Sequence, residues 1–221
     1  MGIEDIKPKT TSADEPIFIE ATPDNISSDD LEKLVRHLVE SFFDEPNRIT
    51  EGTRLQVADV QPGLMEEVFQ RRLASTKQMI ADGKILACKV GDKTAAICGY
   101  DKAYDLPDGK EVYTIMTGST AAEFEGRGFM KNLTARTFEK IRTTAPQALI
   151  YVMTRSEKIK AMQKKLPGWK EYPLTDESNP IVKAYTSTKT KEKLQREISE
   201  GYVIFVFDPA NLPPPSGSAS A

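Results

Sequence analysis

Histidine and tryptophan each occur once in this chain of 221 residues, and cysteine twice. A single histidine leaves little material for a histidine-based nucleophile triad. The two cysteines, Cys88 and Cys98, have no further Cys or His around them, so no zinc-ligand spacing is present. Charge of one sign is also missing. Lys and Arg total 30 against 33 Asp and Glu, a formal net charge of −3. Such a chain has no global basic field of the kind that drives nucleic-acid binding. No apolar run approaches the roughly eighteen residues a membrane span needs. The opening MGIEDIKPKTTSADEP lacks the apolar stretch of a secretory signal, and Ile6 stands where a myristoylation pattern wants Ser or Thr. These absences point to a cytoplasmic protein, with the nucleus as alternative, and to partners that are neither nucleic acid nor membrane.

What is present suits one soluble α/β domain. Hydrophobic residues make up 39% and charged residues 29%, in the range of globular rather than disordered chains. Residues 1–15 are polar and expected to be loose. The tail at 210–221 is rich in Pro, then small and polar, and is expected to be disordered. The folded domain then runs over 16–209. Ile17 to Glu20 reads as a short strand. Leu31, Leu34, Val35, Leu38, Val39 and Phe42 recur at helical spacing, with Ser27 or Ser28 to cap the helix and Pro46 to close it. A second helix spans about 63–83 and ends at Gly83. Residues 84–101 read as a hairpin about Gly91-Asp92. That register sets Cys88 opposite Ala95 and Cys98 opposite Ile85, which sends the two sulfurs to opposite faces as free, structural thiols. A strand at 112–120 follows, then a helix at about 128–143 with Met130, Leu133, Phe138 and Ile141 on one face. A buried strand at 148–154, a helix at 158–166, a short strand at 169–172, a polar helix near 190–199 and a last strong strand in GYVIFVFD complete a mixed sheet.

The chemistry concentrates at Glu125-Gly126-Arg127-Gly128-Phe129-Met130, where a strand gives way to a helix. The free amides of a first helical turn and the helix dipole attract anions. Glycine lets a phosphate approach the backbone, and Arg127 can add charge-assisted contacts. The dinucleotide pattern fails because Lys131 takes the place of its third glycine, and no P-loop pattern exists in the chain. Taken alone, Gly-x-Gly at such a junction is equally readable as a tight connection.

The stretch TAAEFEGRGFMKNLTARTFEKI resembles motif A of the GNAT superfamily of N-acetyltransferases. Glu123, Phe124, Gly126 and Gly128 match the family's V-x-P-E-[YF]-[RQ]-G-x-G-x-[GA]. Thr120 replaces its Val and Ala122 its Pro. Glu125 stands at the Arg/Gln position and Met130 at the final Gly/Ala. The segments around 19–46 and 155–172 also resemble the family's first strand and helix and its late helix, loop and strand, with Gly168-Trp169 for Gly-Phe. The resemblance implies a single-domain, mainly antiparallel mixed sheet flanked by helices.

It further implies acetyl-CoA as co-substrate, lying where the fourth and fifth strands splay. The amides of Gly126, Arg127, Gly128, Phe129 and Met130 would take the pyrophosphate, beside Glu125 and Lys131. The backbone of Gly118, Ser119 and Thr120 would align the pantetheine, and an amide there would polarise the thioester carbonyl. The acceptor is then a primary amine of a small molecule or peptide, the first two helices and the region 173–200 forming its groove, in a monomer or homodimer. The family's thiolate-protonating Tyr has no match: its place holds Lys164, or Gln163 if the loop carries one extra residue. Glu111, Tyr151 and Tyr172 are the candidates for proton transfer. Two of them have a structural alternative: core packing for Tyr151, an exposed turn edge for Glu111. His37 lies off its helix's apolar stripe and reads as exposed rather than catalytic. Lys158, Lys160, Lys164 and Lys165 read as a solvated face, or alternatively as contacts to the CoA 3′-phosphate. A non-catalytic acyl-CoA-binding sensor or scaffold on the same fold is one rival function, and an unrelated α/β interaction protein with a purely structural turn is another.

Overall fold

The computed structural model describes residues 15–44 and 62–211. Residues 1–14 of the expected loose segment, Pro46 and residues 212–221 of the expected tail lie outside the described residues, as does the Phe42 side chain.

Among the described residues seven strands form one sheet: β1 (Pro16–Glu20), β2 (Ile85–Val90), β3 (Lys93–Asp105), β4 (Glu111–Thr120), β5 (Leu149–Thr154), β6 (Trp169–Pro173) and β7 (Val203–Phe207). Their order is β1-β2-β3-β4-β5-β7-β6. Every neighbouring pair is antiparallel except β4 and β5. The parallel pair is reached through a crossover helix, as parallel strands require. Among the described residues there are six helices: α1 (Ser28–Asp44), α2 (Pro62–Ala81), α3 (Phe129–Thr144), α4 (Glu157–Gln163), α5 (Pro180–Ser187) and α6 (Lys191–Ser199). The expected mixed, mainly antiparallel α/β architecture is what forms.

Local chemistry sets the helix limits. Ser27 Oγ accepts from the Asp30 N–H at 3.1 Å and caps α1. The Asp30 carboxylate in turn accepts from the Thr94 N–H at 2.9 Å, fixing the helix start to β3. α2 buries Phe69, Leu73, Thr76, Met79 and Ile80, one stripe at three- and four-residue spacing. It ends with the Lys84 N–H on the Met79 carbonyl and the Gly83 N–H on the Ile80 carbonyl, at 2.9 and 3.0 Å. That pair of bonds is a Schellman stop.

The two sheet faces carry different helices. Ile85, Ala87 and Ile97 meet α1 and α2 in one core. Val112, Leu149, Tyr151, Ile204 and Val206 meet Ile181, Val182 and Tyr185 of α5 in a second. Register places both on the same face, because Val112 pairs with Leu149 and Thr114 with Tyr151, while Gly99 pairs with Met116. α3 covers the opposite face through Phe129, Leu133 and Ile141. Its buried stripe is Phe129, Leu133, Thr137 and Ile141, while Met130 and Phe138 of the expected stripe lie at its margins. Burying each large apolar side chain contributes about 1.5–3 kcal/mol, so both faces are needed to hold the sheet.

The hairpin departs from its expected register. Val90 faces Lys93 across the two-residue turn, but a bulge lies beyond Cys88/Lys89. Cys88 therefore pairs with Ala96, and Leu86 with Cys98. An extra residue in one strand shifts all later pairing by one. Both cysteines consequently face α3, in the same core, rather than opposite faces. They are free and buried. The second strand of the hairpin also continues to Asp105, beyond the expected end.

Candidate functional site

β4 and β5 pair only at their beginnings. Val112, Tyr113 and Thr114 face Leu149, Ile150 and Tyr151, and no rung follows. Beyond that point β4 runs on to Thr120 and β5 to Thr154, so the strands enclose a wedge that widens toward their C-terminal ends. An irregularity in β4 follows the last rung. Ile97 pairs with Ser119 but Gly99 with Met116, which leaves one extra residue in β4 at Thr117–Gly118. Thr117 has φ 54°. A β-branched residue in the left-handed region is strained, and such strain clusters at functional sites. A bulge bends its strand and increases its twist. Gly118 faces α3: a Cβ there would stand 3.2 Å from Met130 Sδ. Ser119 faces the other layer and donates to the Leu34 carbonyl at 2.8 Å, docking α1 on the strand.

The chain leaves β4 through a single 3-10 turn at Ala122–Phe124 and enters α3 at Gly128. Gly126 and Gly128 have φ 76° and 78°, and a Cβ on either would meet none of the described residues within 4 Å. The glycines thus serve backbone direction and leave open space before the helix. The bond from the Asn132 N–H to the Gly128 carbonyl (3.2 Å) encloses the first turn of α3. The N–H groups of Phe129, Met130 and Lys131 lie within that turn, which has no side-chain cap. Phe124 and Phe129 are buried beneath it with ring centroids 6.3 Å apart, anchoring both ends of the turn.

Both acidic residues of the turn are engaged from outside. Lys93 Nζ lies 3.7 Å from Glu123. His37 Nε2 lies 2.8 Å from Glu125 Oε1. A carboxylate only accepts, so Nε2 carries the proton in this bond. His37 is therefore not a bystander of its helix: it reaches from α1 to the turn. Arg127 forms no ion pair among the described residues and places its guanidinium 5.2 Å from the Phe124 ring centroid.

The three candidates for proton transfer are not brought together. Tyr151 sits on the last β4–β5 rung, at the apex of the wedge. It is buried, and burial pushes its phenol upward, partly offset by its bond to Thr114. Glu111 begins β4, nine residues before Thr120 and so roughly 30 Å from the turn. It is bound to Lys102 at 2.8 Å. Tyr172 lies on β6, two strands beyond β5, and lines a small cavity of about 130 Å³ with Leu106, Leu149, Ile181 and Val206.

The basic run is not a uniform solvated face. Lys160 is buried, donating to the Glu157 carboxylate and the Gly201 carbonyl at 2.8 and 2.9 Å. Lys164 is held by Glu171 on β6 at 2.7 Å. Gln163, the alternative at that place, is 2% exposed and its Oε1 has no partner among the described residues. Among the described residues no cluster of His, Cys, Asp and Glu could hold a metal ion, and no helix is long and apolar enough to cross a membrane.

No family model and no curated protein matches the sequence. Solved structures do. PH1933 from Pyrococcus horikoshii is 16% identical, with a TM-score of 0.52 over 88% of this chain and 98% of that one. The PaiA N-acetyltransferase from Thermoplasma acidophilum, solved with coenzyme A, is 11% identical, with a TM-score of 0.51 over 88% and 99%. The fold is that of the GNAT N-acetyltransferases. An N-acetylglutamate synthase from Neisseria gonorrhoeae, complexed with coenzyme A and N-acetyl-glutamate, gives 10% identity and a TM-score of 0.51 over 88% of this chain. This chain spans 35% of that larger protein. Within the GNAT fold the motif-like stretch falls at the end of β4 and the start of α3, where the sequence resemblance puts it.

Proposed function

We propose that this protein is an N-acetyltransferase that uses acetyl-CoA and acetylates a primary amine of a small molecule or peptide. The observation that carries this reading is the wedge between β4 and β5 opening beside an uncapped α3 start with two left-handed glycines. A strand pair that parts leaves backbone groups for a chain-like ligand. A Gly-bearing helix entrance at the same end offers donors to its phosphates. The neighbours solved with coenzyme A support that ligand.

The residues present fit it. A Cβ at Gly126 or Gly128 would project into open space, which is room for a pyrophosphate. The amides of Gly126 through Met130 hold it, with Arg127 and Lys131 adding charge. The β4 edge at Gly118, Ser119 and Thr120 aligns the pantetheine. Acetyl-CoA, when bound, supplies an activated thioester. Met116 is exposed on the α1–α2–α5 face of β4, so an acceptor approaches between those helices. The attacking amine must lose a proton, and the departing thiolate must gain one. Tyr151 stands at the apex of the wedge, and burial keeps its phenol protonated, the state a donor requires.

The first test is thermal stability with CoA. Ligand at a hundredfold excess over Kd stabilises the native state by about 2.7 kcal/mol. Gly128→Glu should abolish the shift by putting a side chain and a negative charge into the cradle. Gly109→Glu has the same backbone demand, at φ 83° in the β3–β4 turn, and should keep it. If Gly128→Glu binds CoA like the parent, the site lies elsewhere. A thiol-release screen with acetyl-CoA against a panel of amines then identifies the acceptor.

A second reading has its own support. Neither Lys164 nor Gln163 carries the hydroxyl of the family's acid position, and Lys164 is committed to Glu171 while Gln163 is buried. A domain that binds acyl-CoA without turnover would shift with CoA yet release no thiol with any amine.

A further inference from the structure

Glu125 poses a problem for anion binding. It directly precedes the cradle, and its side chain is 60% exposed. The donors at the start of α3 attract any nearby carboxylate, since a helix N-terminus favours negative charge. Left free, Glu125 could fold onto the amides that a phosphate would use. It would then be an intramolecular competitor for the site as well as a source of repulsion.

The structure shows what prevents this. His37, on α1, holds the Glu125 carboxylate at 2.8 Å through Nε2. α1 is itself fixed to the sheet by Ser119 Oγ on the Leu34 carbonyl and by Asp30 on the Thr94 N–H. The imidazole is thus an anchored hand, not a floating one. Glu123, the other acid of the turn, is drawn toward Lys93 at the start of β3. Both carboxylates are engaged by basic partners from separate elements, while Arg127 has no acidic partner among the described residues.

We propose that His37 is a positioning residue for the phosphate cradle: it withdraws the Glu125 carboxylate so that the turn's amides stay open to a diphosphate-bearing ligand. This rests on the reading that the turn binds the pyrophosphate of CoA. It assigns a role to two residues, the single histidine and the glutamate at the motif's Arg/Gln position, that no transfer step uses.

Calorimetric titration of the full chain with CoA, and in parallel with pantetheine, which lacks the pyrophosphate, tests it. His37→Ala should weaken CoA binding about tenfold, the scale of one charge released a few ångströms from a dianion near the surface. His37→Gln, which can still donate to the carboxylate, should bind CoA within about twofold of the parent. Adding Glu125→Gln to His37→Ala should restore CoA binding, because the competitor is then neutral. Pantetheine should bind all variants equally. Full CoA affinity in His37→Ala, or a loss that Glu125→Gln fails to rescue, would overturn the proposal while leaving the CoA site standing. A parent protein that binds neither CoA nor pantetheine would overturn the function reading itself.

Discussion

Thr117 shows how a single residue shapes the site. It occupies the left-handed region at φ 54°, and its Oγ1 reaches Met79 Sδ at 3.8 Å. Asparagine tolerates that region far better than a β-branched residue does. Thr117→Asn should therefore raise stability by about 0.5–1 kcal/mol, read as a higher urea midpoint at an unchanged slope. The bulge itself is kept, so CoA binding should stay within about twofold. A lower midpoint would show that the Thr117 contact with α2 outweighs the relief of strain. Gly118 is constrained differently. Its face is closed by Met130, the residue that replaces the family's small Gly/Ala. A glycine on β4 thus makes room for the large side chain on α3.

At the scale of elements, α5 is the clearest case of structure the sequence reading missed. Residues 173–200 read as a long polar region with one helix near 190–199. The structure has a helix before it at Pro180–Ser187, whose Ile181 and Val182 are fully buried. The signal was the Asn179-Pro180 pair. Asn179 Oδ1 accepts from the N–H groups of Ile181 and Val182 at 2.9 and 3.2 Å, and proline at the first helical position needs no donor. At eight residues, α5 is too short for a periodic pattern to stand out. Asn179→Ala should cost about 1 kcal/mol, measured by chemical denaturation, and leave CoA binding unchanged because the proposed cradle lies at α3. Elements with long stripes or β-branched runs, such as α2, β4 and β7, were legible in outline. Bulges were not. Both the one beyond Cys88 and the one at Thr117 depend on pairing with a neighbouring strand, which no local pattern encodes. For the same reason the Gly-bearing turn could be read, whereas the His37–Glu125 contact could not. Its partners are 88 residues apart and meet only when α1 docks on β4.

Across the whole molecule, the sheet divides two tasks between its faces. α3 covers one face and carries the proposed cradle. α1, α2 and α5 cover the other and frame the approach to Met116. Burial of ionisable groups in these layers sets the alkaline limit of the fold. Desolvation raises the Cys88 thiol from 9.0 to about 11, with Arg136 pulling slightly the other way. Cys98 and the Tyr104 phenol are raised too, both first by burial. The native state therefore holds these protons more tightly than the unfolded chain does. That stabilisation is complete below about pH 8.5, where the unfolded thiols stay protonated, and is lost as pH climbs through the native values. The urea midpoint should fall between pH 9 and 11, and Cys88→Ala should flatten that fall. An equal slope with and without Cys88 would assign the loss to other groups.

The bulge that turned both cysteines toward α3 gives the protein a built-in clock. Cys98 meets Thr134 and Thr137 of that helix, and neither sulfur is open to solvent while the helix lies on the sheet. The rate at which an alkylating reagent consumes the thiols therefore counts excursions in which the native layers come apart. A ligand seated at the N-terminus of α3 would slow that count, even one that is never turned over.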